Sequence, residues 1–253
     1  MKKLLFLFFL FAAINNCRAE CAMSVTSYYP VNRNNISTNS FFIIHSYGMS
    51  ISTINSFKDR KIFLESKNGE LIELKLKEIL TGKGENQAVF FPISKLSPNT
   101  KYHLKYTNET ESETRELSNW NTTTQRREKI TWTTGSETKS PLKEDTTFRF
   151  IKSESKSYGC GNSSNAIFET NEANVSEIIF RTELLNVTTN KISTFYIFAN
   201  QKMLQVGYGM CSGGFDLKDN SNYKVRFTAT DSTGKAAKTS DWKAFKSAKQ
   251  PLF

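Results

Sequence analysis

Few residues in this chain are of the types that perform chemistry: there are two histidines, His45 and His103, and four cysteines, Cys17, Cys21, Cys160 and Cys211. A hydrolytic triad or a zinc centre needs a nucleophile or ligand set converging on an imidazole. Neither histidine has a serine, cysteine or carboxylate at catalytic spacing, which argues against both. The run Gly209-Met210-Cys211-Ser212-Gly213 resembles a nucleophile elbow, but its serine is one place out of register and no parallel α/β context surrounds it. Gly82-Lys83-Gly84 is a basic turn lacking the Lys-Ser pair and helix of a phosphate loop. Asp216 and Asp219, with Asn220 and Asn222, offer oxygens to calcium, though an Asx-rich turn would use the same residues. No cofactor and no metal is therefore expected.

The most unusual segment of the C-terminal half is the glycine-rich loop from Val206 to Gly214. Glycines permit close backbone approach, so it reads in two ways. It is a crossover pinned by a disulfide, which we favour, or a binding loop that presents Tyr208 and Met210.

These residues must be positioned by something, and the pattern of the chain says what. From Val25 to Phe245 the apolar residues arrive in bursts of four to eight, rich in Ile, Phe, Tyr, Val and Thr, separated by Asn, Gly, Ser, Pro and Lys. That is strand spacing with almost no helical periodicity. Even Glu70 to Leu80 alternates, with Ile72, Leu74 and Leu76 against Glu73, Lys75 and Lys77, and predicts a strand. The preceding strand, Ile62 to Ser66, meets it through Lys67-Asn68-Gly69. A three-residue loop with Gly69 left-handed pairs Leu64 with Ile72 and Ile62 with Leu74, keeping apolar side chains on one face, whereas a two-residue loop would set Leu64 against Glu73.

Further strands are predicted at 87–93, 102–106 and 129–134, with 107–127 a polar surface loop holding a short helix near Glu116 to Trp120. Residues 148–152, 177–184, 194–199, 203–206, 223–229 and 242–245 repeat the plan. Leu96 plugs the first core, and Phe215 and Leu217 take its place in the second. Each copy then has a corner and a Tyr-x-apolar-x-apolar strand, at Tyr102 and at Tyr223. A tyrosine after such a corner can return its hydroxyl to the backbone upstream. The expected fold is all-β, two tandem Ig-like or fibronectin III-like β-sandwiches: 20–136, a linker at 137–147, and 148–253.

Met1-Lys2-Lys3, the apolar run Leu4 to Ile14 and a polar stretch ending at Ala19 have the layout of a secretory signal peptide, 1–19, too short to span a bilayer. No later segment supplies a transmembrane span. Of the 34 basic residues, removing Lys2, Lys3 and Arg18 leaves 31 against 24 acidic, a net of +7. The charges are scattered, without a nucleic-acid-binding module. Their one concentration, Lys235, Lys238, Lys243, Lys246 and Lys249, reads as a solvated tail that could touch an acidic polysaccharide or phospholipid. Six sequons occur, but with this much Asn, Ser and Thr several would arise by chance, so they do not establish glycosylation. Export brings oxidising conditions, so Cys160 and Cys211, both beside glycines in the second sandwich, are the expected disulfide. A metal or thiol site is disfavoured there because neither histidine lies in that region. Cys21 is left as a free thiol, an intermolecular link, or a partner for Cys17 if cleavage falls after Ala13; lipid attachment is disfavoured because Asn16 and Glu20 are not the small residue a lipoprotein signal wants before its cysteine.

The stretch Pro30 to Thr134, with Leu96-Ser97-Pro98-Asn99-Thr100-Lys101-Tyr102 and Trp132-Thr133-Thr134-Gly135, resembles bacterial Ig-like domains of the surface-layer type. Tyr223 to Phe245, with Asp231-Ser232-Thr233-Gly234 and Ser240-Asp241-Trp242, is similar to fibronectin type III-like domains of exported bacterial proteins. The resemblance implies a secreted, periplasmic or cell-surface module and brings no catalytic residues. The expected function is non-catalytic binding or spacing at the cell envelope, with an unknown protein or glycan partner. The alternative is a carbohydrate-binding or inhibitor accessory to an exported enzyme, using Tyr28, Tyr29, Trp120 or Tyr208; a hydrolase is the third reading.

Overall fold

A computed structural model describes residues 24–136, 142–143, 145–158, 161–173 and 177–251. The expected signal peptide, Cys17, Cys21, Cys160 and most of the expected linker lie outside the described residues. The chain is all-β. Its N-terminal half runs β1 (Val25–Tyr29), β2 (Phe42–Tyr47), a 3-10 turn at Gly48–Ser50, α1 (Ile51–Ser56), β3 (Ile62–Ser66), β4 (Leu71–Thr81), β5 (Glu85–Pro92), β6 (Lys101–Tyr106), α2 (Glu111–Glu116), β7 (Ser118–Asn121), β8 (Arg126–Lys129) and β9 (Thr131–Thr133). The C-terminal half adds β10 (Phe148–Tyr158), β11 (Gly161–Thr170), β12 (Ile178–Asn186), β13 (Lys191–Ile197), β14 (Met203–Tyr208), β15 (Asn222–Asp231) and β16 (Lys243–Lys246).

The two halves share a pairing order. In the C-terminal half, β10-β11-β14 faces the sheet β13-β12-β15-β16. In the N-terminal half the corresponding strands run β1-β2-β5 and β4-β3-β6-β9, joined into one sheet because β4 pairs with both β3 and β5. Leu71 to Leu74 pair with β3 and Leu74 to Thr81 with β5, and a bulge between Leu76 and Glu78 bends the strand from one layer to the other. Leu64 stands opposite Ile72 and Ile62 opposite Leu74, with Gly69 at φ +82°, the register that burial of one face demands.

Both corners form, and they match atom for atom. Leu96 and Leu217 are each 1% exposed. Six residues on, the Tyr102 hydroxyl accepts the Ser97 N–H at 3.0 Å and the Tyr223 hydroxyl accepts the Lys218 N–H at 2.7 Å. Asn99 and Asn220, three residues before each tyrosine, hold the left-handed turn at φ +51° and +49°. A hydroxyl from the end of each half closes the corner. Thr134 Oγ1 donates to the Ser97 carbonyl and accepts from the Thr100 N–H; Ser247 Oγ does the same with Lys218 and Ser221.

Three local expectations change. The helix in the 107–127 loop lies earlier, at Glu111–Glu116, started by a Thr110/Glu113 capping box, and Trp120 is on a strand. Residues 51–56 are helical. Residues 153–158 and 161–170, rich in Ser, Asn and Lys, form a long ladder between β10 and β11 that alternation did not announce.

Buried side chains gather in two clusters. Phe42, Ile44, Ala88, Phe90, Tyr102 and Trp132 belong to the first. The second holds the apolar interior of the C-terminal half and also Tyr29, Phe41, Ile43, Leu80 and Val89 from the N-terminal half. Alternation explains this: even-numbered residues of β2 face one cluster, odd-numbered ones the other. Each such side chain contributes on the order of 1.5–3 kcal/mol when fully buried, so the halves cohere through far more than the connecting chain.

Candidate functional site

Features that stand far apart in the sequence meet at the junction of the two halves. The turn Gly82-Lys83-Gly84 between β4 and β5 lies against the glycine-rich loop after β14. Lys83 N–H donates to the Gly213 carbonyl at 2.7 Å and Gly213 N–H returns to the Lys83 carbonyl at 2.9 Å, a two-rung antiparallel bridge. Only glycine fits at position 213, since a Cβ there would lie 2.2 Å from Tyr208 Cα. The Lys83 ammonium stands 3.3 Å from the Tyr208 ring centroid and 2.9 Å from Asp216 Oδ1, and Lys218 reaches the other carboxylate oxygen. Burial alone would raise the Asp216 carboxyl, but hydrogen bonds from Lys218 and Lys83 outweigh it and hold the group below its usual range.

Beside this bridge, β5 projects Glu85 and Gln87 towards the C-terminal half. Ser212 Oγ donates to Glu85 Oε2 at 3.0 Å, and His45 Nε2 lies 3.4 Å from the same oxygen. The serine therefore donates to a carboxylate, not to an imidazole, and the carboxylate lies between them. That order does not activate a hydroxyl in the way a serine nucleophile requires. His45 packs edge-on against Phe195 with ring centroids 5.7 Å apart. Gln87, 1% exposed, donates from Nε2 to the Tyr196 carbonyl at 2.8 Å and accepts the Tyr196 N–H at 2.9 Å. Since β13 is the outer strand of its sheet, this amide covers backbone groups that would otherwise be an open edge. A recess of about 250 Å³ lies here, lined by His45, Glu85, Tyr196, Gln205, Tyr208 and Ser212 among others.

Tyr208 is buried and does not present its ring to a partner; its hydroxyl accepts from Gln250 Nε2 at 2.9 Å. Met210 is exposed. Asp219 Oδ1 accepts the Gln250 N–H, so neither it nor Asp216 is an idle carboxylate. His103 lies elsewhere, on β6: its Nε2 faces both Lys129 Nζ at 2.9 Å and Glu65 Oε2 at 3.0 Å. Tyr28 and Tyr29 are buried, whereas Trp120 is exposed. Among the described residues no group of three or more His, Cys, Asp or Glu is placed to hold a metal, and no helix is long and apolar enough to cross a membrane.

Two features had no sequence argument. Gln87 and Glu85 carry no local pattern, although a polar residue at the head of the burst Ala88-Val89-Phe90-Phe91 is a signal of a buried partner. A second recess, of about 460 Å³, lies beside α1 and α2, where Arg60 binds Glu113 through two bonds of 2.7 and 3.0 Å. Glu116 there accepts from Ser50 and Thr26.

No protein-family model matches the chain, and no curated protein does. Solved structures give distant likenesses. A pullulanase from Anoxybacillus sp. LM18-11 aligns over 83% of this chain and 24% of its own at 7% identity, TM-score 0.23. One from Bacillus subtilis str. 168, complexed with maltose, aligns over 83% and 23% at 8% identity, TM-score 0.24. A chain of a cytokine receptor complex aligns over 88% and 95% at 8% identity, TM-score 0.25. The chain thus spans about a quarter of the pullulanases' length, and likenesses this low carry no argument about function.

Proposed function

We propose that the chain is an exported, non-catalytic binding or spacer module built from two fibronectin III-like or Ig-like sandwiches acting at a cell envelope. One observation carries it: at the junction, the serine, carboxylate and histidine that could do chemistry are used to hold two β structures together. A rigid pair of sandwiches with loops at its ends suits presentation better than turnover. We further propose the Cys160–Cys211 disulfide. Ser164 pairs with Tyr208, and a Cβ on Gly161 would stand 3.2 Å from the Met210 carbonyl oxygen, so Gly161, which follows Cys160 in sequence, lies against the residue that precedes Cys211.

The test uses the mature protein and its Ser212→Ala and His45→Gln variants. Pull-down from envelope fractions should recover the same partners with all three proteins, and a panel of ester, peptide and glycoside substrates should show no turnover. Hydrolysis that disappears in Ser212→Ala would overturn the proposal. Alkylation without reductant should leave Cys160 and Cys211 unlabelled; labelling of both rejects the disulfide.

A further inference from the structure

The hairpin β7–β8 is inserted between β6 and β9 and has no residue turned fully into a core: its eight positions are half-buried or exposed, and all four of β8 are exposed. Its backbone is tied at the base, where Ile130 N–H donates to the Leu117 carbonyl at 2.8 Å and both side chains are buried. A two-stranded hairpin of this size is marginal by itself. Its side chains therefore do little for the fold, and their types must be explained otherwise.

Register sorts them. Ser118 is opposite Lys129 and Trp120 opposite Arg127, so these four share one face. That face continues a recess of about 220 Å³ floored by Leu104 and Leu117 and edged by Arg115, Arg127 and Lys129. Trp120, 56% exposed, extends it outward as a flat apolar surface. The cations are poorly matched among the described residues. Among the described residues Arg127 reaches only the Arg115 carbonyl and Ser118 Oγ, at 3.2 and 3.4 Å; Lys129 reaches an imidazole nitrogen; Arg115 comes no closer than 3.9 Å to Glu111. The one carboxylate in the recess, Glu109, is already engaged, accepting the Tyr106 N–H at 2.8 Å and the Thr114 hydroxyl at 3.4 Å. Glu128 lies on the opposite face of the hairpin and accepts from Thr124.

We propose that this face binds an acidic polysaccharide, with Trp120 against the apolar face of a sugar ring and Arg127, Lys129 and Arg115 on its anionic groups. An indole offers a polarisable plane, and an exposed guanidinium pairs carboxylate or sulfate oxygens two at a time. A single projecting tryptophan beside a recess of this volume matches one ring of a chain better than a lipid surface, which would call for several apolar side chains at one level. The inference names the ligand class for the binding reading above and rests on it.

Binding of the mature protein to polygalacturonate and to dextran sulfate, with neutral dextran beside them, separates the carboxylate and sulfate sources. Saturable binding to at least one acidic polymer, weakening as salt rises, is expected. Trp120→Ala and Arg127→Ala should each weaken it about tenfold, equivalent to roughly 1.4 kcal/mol, with unchanged melting. Lys191→Ala with Lys224→Ala, both exposed and outside the basic C-terminal run, removes equal or greater charge from the other half and should change binding less than twofold. Equal loss in that control, wild-type binding by Trp120→Ala, or binding to anionic phospholipid vesicles but to neither polymer overturns the proposal. In those cases retained envelope pull-down leaves the binding-module reading standing, whereas substrate turnover removes that reading instead.

Discussion

The Gln87→Leu substitution tests whether the two halves are one mechanical unit. Leucine keeps much of the volume of glutamine but makes neither of the bonds to Tyr196, at 2.8 and 2.9 Å. It leaves a backbone N–H and a carbonyl on the outer strand β13 facing an apolar side chain. A buried backbone group left without a partner costs about 1–3 kcal/mol, so two cost about 2–6. Leucine also removes the cost of burying a primary amide, which places the expected loss near 2–4 kcal/mol. Urea unfolding followed by far-ultraviolet circular dichroism and tryptophan fluorescence measures it. Trp132 reports on the N-terminal half and Trp242 on the C-terminal half. With a slope of about 2 kcal/mol per molar urea, the midpoint should fall by about 1–2 M. Gln205→Leu, an exposed glutamine in the same region, should stay within about 0.5 kcal/mol of wild type. A Gln87→Leu protein that also stays within that margin would show that solvent reaches the Tyr196 edge and that the amide is no clamp.

Tyr102→Phe and Tyr223→Phe should each cost about 1–3 kcal/mol by orphaning a corner N–H, and the two losses should agree with each other in thermal melts because the corners are the same structure. Gly213→Ala should cost roughly 1–3 kcal/mol or more, since the new methyl meets Tyr208 Cα; a neutral result would mean the Lys83–Gly213 bridge is dispensable. Tyr208→Ala should cost about 3 kcal/mol or more and Met210→Ala less than about 0.5, an asymmetry that calorimetry resolves. His103 is held below the ordinary imidazole value first by burial and next by the charge of Lys129, against the pull of Glu65, with Lys105 also facing it. The unfolded chain thus binds the proton at higher pH than the folded one. Stability is intact above about pH 6.5 and declines as pH falls from there towards the lower folded value. His103→Gln should flatten the curve in that window, and an unflattened curve would assign the decline to other groups.

What the chain disclosed in advance was local and periodic. The Ile62–Leu76 hairpin could be placed to the residue because a slip of one would have buried Glu73 and Lys75. The corners were visible because asparagine and tyrosine, with Pro98 in the first, act on backbone within a few residues. The same logic failed at 153–170, where serine, asparagine and lysine on both faces give no period to read, and the β10–β11 ladder is set by its partners. It failed also at α1, a single turn and a half without room for a helical repeat.

The junction was illegible for a different reason, since its bonds join residues more than a hundred positions apart and need no local pattern. Yet one sign was present. Phe41-Phe42-Ile43-Ile44 and Ala88-Val89-Phe90-Phe91 are apolar at every position, whereas a sandwich strand with one wet face alternates. Continuous apolar strands must be covered on both sides, and only the C-terminal half is available to cover the second. Ile43 and Val89 fill that role, at 2% and 0% exposure. The hairpin at Trp120 shows the converse: a segment whose alternate positions are all wet has no core to satisfy. Side chains there are free to be chosen for what lies outside the molecule.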